Sequence, residues 1–515
     1  MTSARPPDPT ATRRDAARPV WLPTSTTSGL TIEPAPVARW AERALDLRRL
    51  DGSVFVDLFG GPILADGSVA LTMLFARPDH HDWVALRDAV APRSTFPSLS
   101  PVLEAADWYE REVFETFGLI PTGHPHLRPL GVSGGTTADE LLRTPLDPAS
   151  VGVVDYPLGP VRSGIVESGH YTLRTVGEEI VDARLQLGWK HRGIETLATT
   201  IDADQLPLLA ERISGTDAVA NGLACAVALE DLAGWHVDER ASVLRLVAAE
   251  LERLHDHAAF QAELCQATGL VVAQSQFEIV RERALRLAAR IAGHRYLFGF
   301  VRPGGVSIDL DAALLDDVRR TVASLKGDMV GLGAMVAGSG SHQDRLRGTG
   351  AVSEADALGL ALTGPVARAV GVDLDARRDL PYEAYAGLRP PVALERHGDA
   401  AARARIRQAE AVIAADLILT AVDRLLGQAL PASRPDVRWA PRPGSVGLGW
   451  AEGSRGLEVH WVETGHDGRV ARYRVRSASF ACWQGFARTI PARNILTDFP
   501  IIEQSFGLSY AGGDR

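Results

Sequence analysis

Three stretches between residues 244 and 425 carry apolar residues at every third or fourth position, and this spacing constrains the fold most strongly. Residues with this spacing lie on one face of an α-helix, and that face must be buried against another apolar surface. A helical bundle is therefore predicted, and none of the stripes needs a cofactor to explain it. The stripes are Leu244, Val247, Leu251 and Leu254; Val280, Ala284, Leu287 and Ile291; and Ile406, Ile413, Leu417, Ala421 and Leu425.

Residues 29–130 show a different pattern and predict a small α/β domain. Short runs rich in β-branched and aromatic residues alternate with turn residues, while other runs have helical spacing. Gly118 is expected to end the last helix, because glycine readily adopts the left-handed conformation that closes a helix. We predict strands at Ser53–Leu58 and Val69–Leu74, and helices at Val37–Leu50, His81–Val90 and Val102–Phe117.

The other domain boundaries follow from composition. Residues 1–28, rich in Pro, Ser, Thr, Ala and Arg, predict a disordered tail, and residues 131–150, with paired glycines, predict a linker. Residues 151–515 form the mainly helical part, so the fold class is α+β. This part is predicted to contain a β-hairpin at Tyr171–Val176 and Ile180–Leu187 and a β-rich segment at Leu457–Val462 and Val470–Arg476.

Composition narrows the classes of function. The formal charge of −10 disfavours nucleic-acid binding, because phosphate needs an excess of Lys and Arg. No apolar run approaches the roughly 18 residues of a membrane span, and no signal-peptide core is present. The glycines at 331–340 lack the strand–loop–helix setting of a nucleotide site. Three cysteines, Cys225, Cys265 and Cys482, lack metal-site spacing and predict buried apolar positions in a reducing cytoplasm.

The run from Asp107 to Leu130 reads DWYEREVFETFGLIPTGHPHLRPL. An amphipathic helix followed by a turn would explain its charge pattern, but the complete run is more specific than that. Its elements resemble the signature of the 30-kilodalton subunit of respiratory complex I. These elements are Glu110-Arg111-Glu112, Phe117-Gly118, Gly123-His124-Pro125 and Leu127-Arg128.

The remainder resembles the 49-kilodalton subunit of complex I and the related large subunit of group 4 nickel–iron hydrogenases. The resemblance covers about residues 29–515, and the order of the two parts is similar to the large subunit of formate hydrogenlyase and hydrogenase-4 complexes. It implies a small α/β domain followed by a mainly helical domain with β-hairpins. The matching stretches are Gly159-Pro160, Gly169-His170-Tyr171, His191 to Glu195, Glu250 to Arg253 with His257, Asp344 to Tyr385, Gly398-Asp399 with Arg403, Tyr473 to Trp483, and Gly513 to Arg515.

The resemblance also implies a metal centre held by four cysteine thiolates in two CxxC pairs, and the chain departs from that pattern. Ser214 and Asp217 stand at the first pair of positions, and Ser509 and Gly512 at the second. A hydroxyl group is a poor soft ligand, and glycine has no side chain. We therefore expect this chain to bind neither a nickel–iron centre nor another metal. A hard cation on the neighbouring carboxylates is the less favoured alternative.

Complex I uses the same cavity for quinone, and its 49-kilodalton subunit places a tyrosine and a histidine at the headgroup. Gly215 stands at the tyrosine position, and the histidine lies in the loop that matches Val161–His170. His170 is expected in a comparable place, and Tyr510 and Tyr171 are candidates to replace the tyrosine. Quinone binding in the manner of complex I stays open at this point.

The resemblance brings a set of ionisable residues together. The predicted catalytic group is Glu167, His170, Asp217 and Arg212, with Glu167 matching a glutamate that passes protons near the metal in hydrogenases. The predicted substrate-binding group is His191, Arg192, Tyr510 and Asp514. Buried carboxylates and histidines beside arginines have shifted pKa values that suit proton transfer. The alternative is that such pairs, Glu195 included, only fix the β-hairpin to the bundle.

The expected function is that of a cytoplasmic peripheral-arm subunit in a complex-I-like, energy-converting membrane oxidoreductase. The partners implied are an iron–sulfur subunit with the terminal cluster and membrane subunits that translocate ions, which would hold the chain at the inner face of the plasma membrane. Electrons would pass to a quinone or another small acceptor with proton uptake. A non-catalytic scaffold or coupling subunit is the alternative, and an active formate hydrogenlyase subunit is less favoured.

Overall fold

The computed structural model describes residues 28–131, 152–162, 167–427 and 441–515. The predicted tail and the predicted linker lie outside these residues, except for one residue of each. An N-terminal α/β part precedes a mainly helical part with β-sheets, so the predicted α+β class is confirmed.

The N-terminal part is built on a four-stranded sheet with the order β1-β4-β3-β2. The first strand is parallel to the fourth, and the other pairs are antiparallel. Helix α1 (Trp40–Leu50) buries its apolar residues in the core on one face of this sheet. The strands are β1 (Leu30–Pro34), β2 (Val54–Ile63), β3 (Val69–Arg77) and β4 (Asp82–Val90).

The predicted helix at His81–Val90 is wrong, because the segment forms strand β4. Its side chains enter two cores. Val84 and Leu86 belong to the core of the small domain, whereas Trp83 and Ala85 pack with residues of the helical bundle. A strand buried on both faces does not alternate between apolar and polar residues, so its sequence does not reveal its period.

Helix α2 (Asp107–Phe117) follows the short strand β5 (Thr95–Pro97) and precedes β6 (Ile120–Thr122), which is parallel to β5. The helix was predicted, and it ends as expected at Gly118, which has a φ of 66°.

The charged run of α2, residues 110–112, is buried, and each member has a separate task. Glu110 accepts hydrogen bonds from residues 98–100. Arg111 donates to the backbone carbonyls of residues 128 and 129. Glu112 reaches the other domain, as described below. The signature therefore fixes loops on both sides of the helix as well as a domain contact.

The helical part begins with an antiparallel sheet of β7 (Val153–Leu158), β8 (His170–Val176) and β9 (Glu179–Gln186). The last two strands are the predicted hairpin. Their side chains Tyr171, Leu173 and Ile180 enter the same core as the small domain, so the hairpin fixes the start of the helical part against that domain.

Long helices then form the predicted bundle. Helix α6 packs along α14 and α7, and α14 also packs on α8. The apolar stripes predicted for these helices lie in their shared core. The helices are α3 (Ile194–Ala198), α4 (Leu206–Ala210), α5 (Ala218–Ala233), α6 (Glu239–Ala267), α7 (Val271–Ala292), α8 (Ala312–Ala337), α9 (Gly340–Leu346), α10 (Glu354–Gly359), α11 (Gly364–Arg368), α12 (Ala376–Asp379), α13 (Tyr385–Leu388) and α14 (Ala400–Gly427); the two-residue strands β10 (Val301–Arg302) and β11 (Gly305–Val306) precede α8.

A second antiparallel sheet follows, formed by β12 (Val446–Gly453), β13 (Gly456–Thr464) and β14 (Val470–Arg476). The last two strands were predicted. The first was missed, because its glycines hide the strand pattern. They allow α5 to lie directly on β12: a Cβ atom on Gly449 would stand 2.0 Å from the carbonyl oxygen of Ala224.

The chain ends in helices α15 (Ala478–Thr489), α16 (Phe499–Phe506) and α17 (Tyr510–Asp514). All three cysteines are buried, as predicted. Among the described residues, no helix combines the length and the apolar composition that crossing a bilayer would require.

Buried ion pairs join the two parts of the chain. Arg474 on β14 donates to both carboxylate oxygens of Asp57 at 2.8 Å and to Glu112 at 2.7 Å. Arg515 donates to the same Glu112 at 2.6 Å. Burial acts to raise the pKa of Glu112, but the two guanidinium groups outweigh it, so this pKa lies below its ordinary value. The small domain is therefore held to the bundle by charge as well as by apolar packing.

The substitution Arg474→Leu should lower the free energy of unfolding by about 3–5 kcal/mol, because it leaves two carboxylates buried without a partner. Arg488→Leu is the matched control, since its ion pair with Glu104 is about half exposed and should contribute less than about 1 kcal/mol. Chemical unfolding of the two purified variants measures the difference. Equal stability of the variants would contradict this account of the domain contact.

Candidate functional site

Two loops come together around Arg455. The first, residues 211–217, precedes α5, and the second, residues 507–509, precedes α17. Arg455 lies in the turn between β12 and β13, and its guanidinium donates to the carbonyl of Gly507 at 2.6 Å and to Oδ1 of Asp217 at 3.0 Å. One arginine thus links the two loops that hold the former ligand positions.

A second carboxylate shares this arginine. Asp256 accepts from Arg455 at 3.2 Å and from the hydroxyl of Ser454 at 2.5 Å. Burial, followed by repulsion from Asp256, raises the pKa of Asp217 although Arg455 opposes the shift. Burial also acts to raise the pKa of Asp256, but Arg455 and Arg407 outweigh it and hold that pKa below its ordinary value. The carboxylate of Asp217 is therefore the one that more readily holds a proton.

The first loop is fixed from behind. Glu252 accepts from the N–H groups of Val219 and Ala220 at 2.6 and 2.9 Å, and so caps the N-terminus of α5. Burial raises the pKa of Glu252 well above its ordinary value, and the charge of Asp217 adds to the shift. The carbonyl of Asp217 accepts from the amide of Asn221 at 2.8 Å. These bonds hold Asp217 in place independently of Arg455.

A line of buried hydrogen bonds supports Asn221. Its Oδ1 lies 3.1 Å from Nε2 of His460, and the hydroxyl of Tyr473 lies 2.7 Å from Nδ1 of the same ring. Burial lowers the pKa of His460 to about 3, so this ring is neutral at physiological pH. Tyr473 then donates to Nδ1, and Nε2 donates to Asn221.

Glu167 holds the second loop. Its carboxylate accepts from the N–H groups of Tyr510 and Ala511 at 2.5 and 3.0 Å and from the hydroxyl of Ser509 at 3.2 Å. The hydroxyl oxygen of Ser509 accepts in turn from the N–H of Gly512 at 2.9 Å. The residues at the second pair of former ligand positions therefore bond to each other and to Glu167.

The hydroxyl of Tyr510 is engaged by other side chains. It bonds to the carboxylate of Glu503 and to the hydroxyl of Tyr171, and it accepts from Arg162 at 2.8 Å. Burial, followed by the charge of Glu503, raises the pKa of Tyr510 well above its ordinary value. The ring rests on Gly169, where a Cβ atom would stand 2.0 Å from a ring carbon. Tyr510 closes the site with its ring while its hydroxyl group stays occupied.

Residues 188–192 tie the two loops together. Asp514 accepts from the N–H groups of Gly188 and Lys190 at 2.9 and 2.8 Å, and Nδ1 of His191 lies 2.9 Å from the carbonyl of Asp514. Arg192 donates to the carbonyls of residues 212 and 213 at 2.7 and 2.6 Å. Burial raises the pKa of Asp514 to about 7.

Two predicted catalytic residues stand apart from this arrangement. The guanidinium of Arg212 faces outward and lies over the ring of Phe298 at 4.7 Å. His170 is buried beside Trp189, at 6.5 Å between ring centres, and its Nδ1 has no hydrogen-bond partner among the described residues. Burial lowers the pKa of His170. Glu167, Asp217, Tyr510, Asp514, His191 and the backbone near Arg212 are brought together.

Sequence reasoning missed Arg455, Asp256 and Glu252. Arg455 lies between Gly453 and Gly456 in a tight turn that joins two strands, which is the only local signal for it. Asp256 and Glu252 lie within a long helix, one of them inside the Glu250–Arg253 run that the resemblance had drawn attention to. Their partners are far away in sequence, so spacing alone could not reveal them.

A cleft of about 540 Å³ lies beside His191 and Asp514, between the small domain and the bundle. Its size suits a small molecule. Its walls also contain Glu112, Glu195, Arg472, Arg474 and Arg515, which form ion pairs with one another. The cleft is thus built from the same charges that join the two domains.

The donor atoms at the former ligand positions do not fit a nickel–iron centre. Ser214 offers a hydroxyl bonded to Asp217, Ser509 a hydroxyl bonded to Glu167, and Gly512 no side chain. Nickel–iron sites need soft thiolate donors. Within the part of the chain that the structure describes, no three His, Cys, Asp or Glu side chains are grouped as metal ligands would be.

Comparison with known families matches both parts of the chain. Residues 31–145 match the family described as the 30 Kd subunit of respiratory-chain NADH dehydrogenase. Residues 268–447 match the 49 Kd subunit family of the same enzyme.

Individual relatives extend over most of the chain. Formate hydrogenlyase subunit 5 of Escherichia coli (strain K12) is 30% identical over 457 residues, covering 84% of this chain and 79% of the relative. Hydrogenase-4 component G of the same strain is 28% identical, with 84% and 78% covered. The C/D component of NADH-quinone oxidoreductase from Rhodopseudomonas palustris (strain BisA53) is 28% identical, with 79% and 80% covered.

A solved structure shares the fold. One chain of the membrane-bound sulfane sulfur reductase, an archaeal respiratory membrane complex, superposes with a TM-score of 0.65 at 25% sequence identity. The match covers 72% of this chain and 100% of that chain.

The raised pKa of Asp514 predicts a pH dependence of stability. Between its ordinary value of 3.8 and about 7, the folded state binds this proton more tightly than the unfolded state does. The carboxyl should therefore cost stability as pH rises through that window. Relative to Asp514→Asn, the wild-type protein should lose stability from pH 5 to pH 8. Thermal unfolding of both proteins across this range measures the difference, and a constant or opposite trend would refute it.

Proposed function

The chain belongs to the family of fused complex I 30 kDa- and 49 kDa-like subunits, and on that premise we propose a function for its altered centre. It acts as a peripheral-arm subunit of a complex-I-like, energy-converting membrane oxidoreductase. Its relatives are named as parts of formate hydrogenlyase, hydrogenase-4 and NADH-quinone oxidoreductase. The proposed partners are an iron–sulfur subunit and ion-translocating membrane subunits, which keep the chain at the inner face of the plasma membrane.

The proposal includes the loss of hydrogen activation. The observation that carries it is the ion pair between Asp217 and Arg455, which stands where the two loops would otherwise present thiolates to a metal. A guanidinium beside the former ligand positions repels a cation, and the remaining donors are hard oxygen atoms. No step of the proposed reaction passes through a metal on this chain.

Electrons come from the partner's iron–sulfur cluster and reduce a quinone or another small acceptor near the two loops. Reduction of a quinone to a hydroquinone takes up two electrons and two protons. Asp217 supports the proton part, because burial raises its pKa towards the range in which a carboxyl can donate. Glu167 and His170 are the other proposed proton carriers, and both lie at or beside the second loop.

A second function is favoured by one observation. Arg455 binds both loops at once, and Tyr510 fills the space above Gly169, so the region is held closed by its own side chains. An arrangement of this kind suits a non-catalytic coupling subunit, which transmits movement between partners. Charged groups inside the site, rather than apolar ones, favour the electron-transfer function.

The test is to purify the complete complex and measure its nickel content and its electron transfer to soluble quinones. We expect far less than one nickel per complex and measurable quinone reduction. Glu167→Gln and Asp217→Ala should each lower turnover by roughly 100-fold, because each removes a proton carrier. Asp256 still pairs with Arg455 in Asp217→Ala, so this variant should fold.

Glu278→Gln is the matched control, because Glu278 is an exposed carboxylate on α7. It should leave turnover unchanged. Full turnover in both site variants would exclude the proposed proton carriers. Stoichiometric nickel would exclude the proposed centre, and a complex with no acceptor activity would leave the coupling function.

A further inference from the structure

Helices α6 and α14 face each other with charged as well as apolar residues. Glu250, Arg253 and His257 follow one another on α6 at intervals of three and four residues, and Arg407 and Glu410 stand on the facing side of α14. All five side chains are at most 1% exposed. We call these five residues the charged seam.

Glu410 is the centre of the seam. It accepts from Arg253 at 2.7 Å and pairs with Arg368 of α11 at 2.8 Å, and its Oε2 lies 3.3 Å from Nε2 of His257. Burial acts to raise the pKa of Glu410, but Arg368 and Arg253 outweigh it and hold that pKa well below its ordinary value. Glu410 therefore remains a carboxylate beside the imidazole ring.

His257 is suited to carry a proton for a short time. Burial lowers its pKa to about 4, so the resting ring is neutral, with one nitrogen that donates and one that accepts. When Nε2 donates towards Glu410, Nδ1 is free to accept a proton. The imidazolium formed in this way is stabilised by the carboxylate 3.3 Å away.

Three buried nitrogen atoms of the seam have no hydrogen-bond partner among the described residues: Nδ1 of His257 and Nε and Nη1 of Arg407. Nη1 lies 3.6 Å from Oδ2 of Asp256, which is too long for a direct hydrogen bond. Buried polar groups are rarely left without partners, and an ordered water usually satisfies about three of them. Two donors, one ring acceptor and one carboxylate are the partners that such a water needs.

We propose that an ordered water is bound by His257, Arg407 and Asp256, and that His257 passes protons through it to the site. The inference rests on the proposed function for its use in turnover. In the relay step, the Nδ1–H bond of the imidazolium breaks and the water receives that proton. The water gives one of its own protons to Asp256, forming an O–H bond, and no electron is transferred. Asp256 shares Arg455 with Asp217, so the proton arrives at the two loops.

The first test is structural and does not depend on turnover. A high-resolution structure of the purified complex should show water within hydrogen-bond distance of Nδ1 of His257 and of Arg407. Well-ordered side chains without such a water would overturn the proposal.

The second test compares two buried histidines. His257→Leu removes the relay, whereas His342→Leu removes a buried histidine on α9 that bonds to Thr268 outside the seam. Quinone reduction should fall roughly 100-fold in His257→Leu with an unchanged KM, and it should persist in His342→Leu. His257→Gln keeps a polar group in place and checks that the loss does not come from misfolding. Equal turnover in the two leucine variants would overturn the relay.

A pH jump separates this inference from the proposed function. Proton uptake by the purified complex, followed with a soluble indicator dye, should lose its fast phase in His257→Leu and keep it in His342→Leu. If the wild-type complex reduces no acceptor, the proposed function fails, but the water position and the fast phase still decide the relay. A fast phase that persists in His257→Leu would refute it.

Discussion

The structure depends on burying arginine side chains without leaving their charge unpaired. A guanidinium carries five donors, so each buried arginine fixes the positions of several carboxylates and carbonyls around it. Arg474 joins the two domains in this way, Arg368 and Arg253 hold Glu410 inside the bundle, and Arg455 links the two loops of the site. Apolar stripes make the helices, but the arginines decide how helices, sheets and domains meet. The most completely buried arginines are Arg245, Arg253, Arg368, Arg377, Arg403, Arg407, Arg474 and Arg476.

The long helices and the two-stranded parts of the sheets could be predicted because their period is visible in the sequence. Leu244 to Leu254 repeats with the period of a helix, and Tyr171 to Leu187 reads as two strands around a glycine turn. The prediction failed at β4, which is buried on both faces and therefore has no readable period. It also missed β12, whose glycines exist for the close approach of α5 and carry no strand preference of their own.

The site was predictable to the level of its loops. The family resemblance placed residues 212–217 and 507–515 together, and the structure brings them into contact. The identity of the bridge could not be predicted, because Arg455 lies 238 residues from Asp217 in sequence and nothing near it marks a partner. Arg212 shows the converse: its position beside the loop was known, whereas the outward direction of its side chain depends on Phe298.

The bridge between Asp217 and Arg455 also bears on how such a chain can change over generations. Restoring a cysteine at 217 alone would leave Arg455 with a single carboxylate, and restoring those at 509 or 512 alone would disturb the bonds that Glu167 and Ser509 make. Each isolated step back towards a thiolate centre weakens the present arrangement before any metal can stabilise a new one. Several replacements would have to arise together, so the loss of the metal-binding cysteines behaves as a one-way step in this lineage.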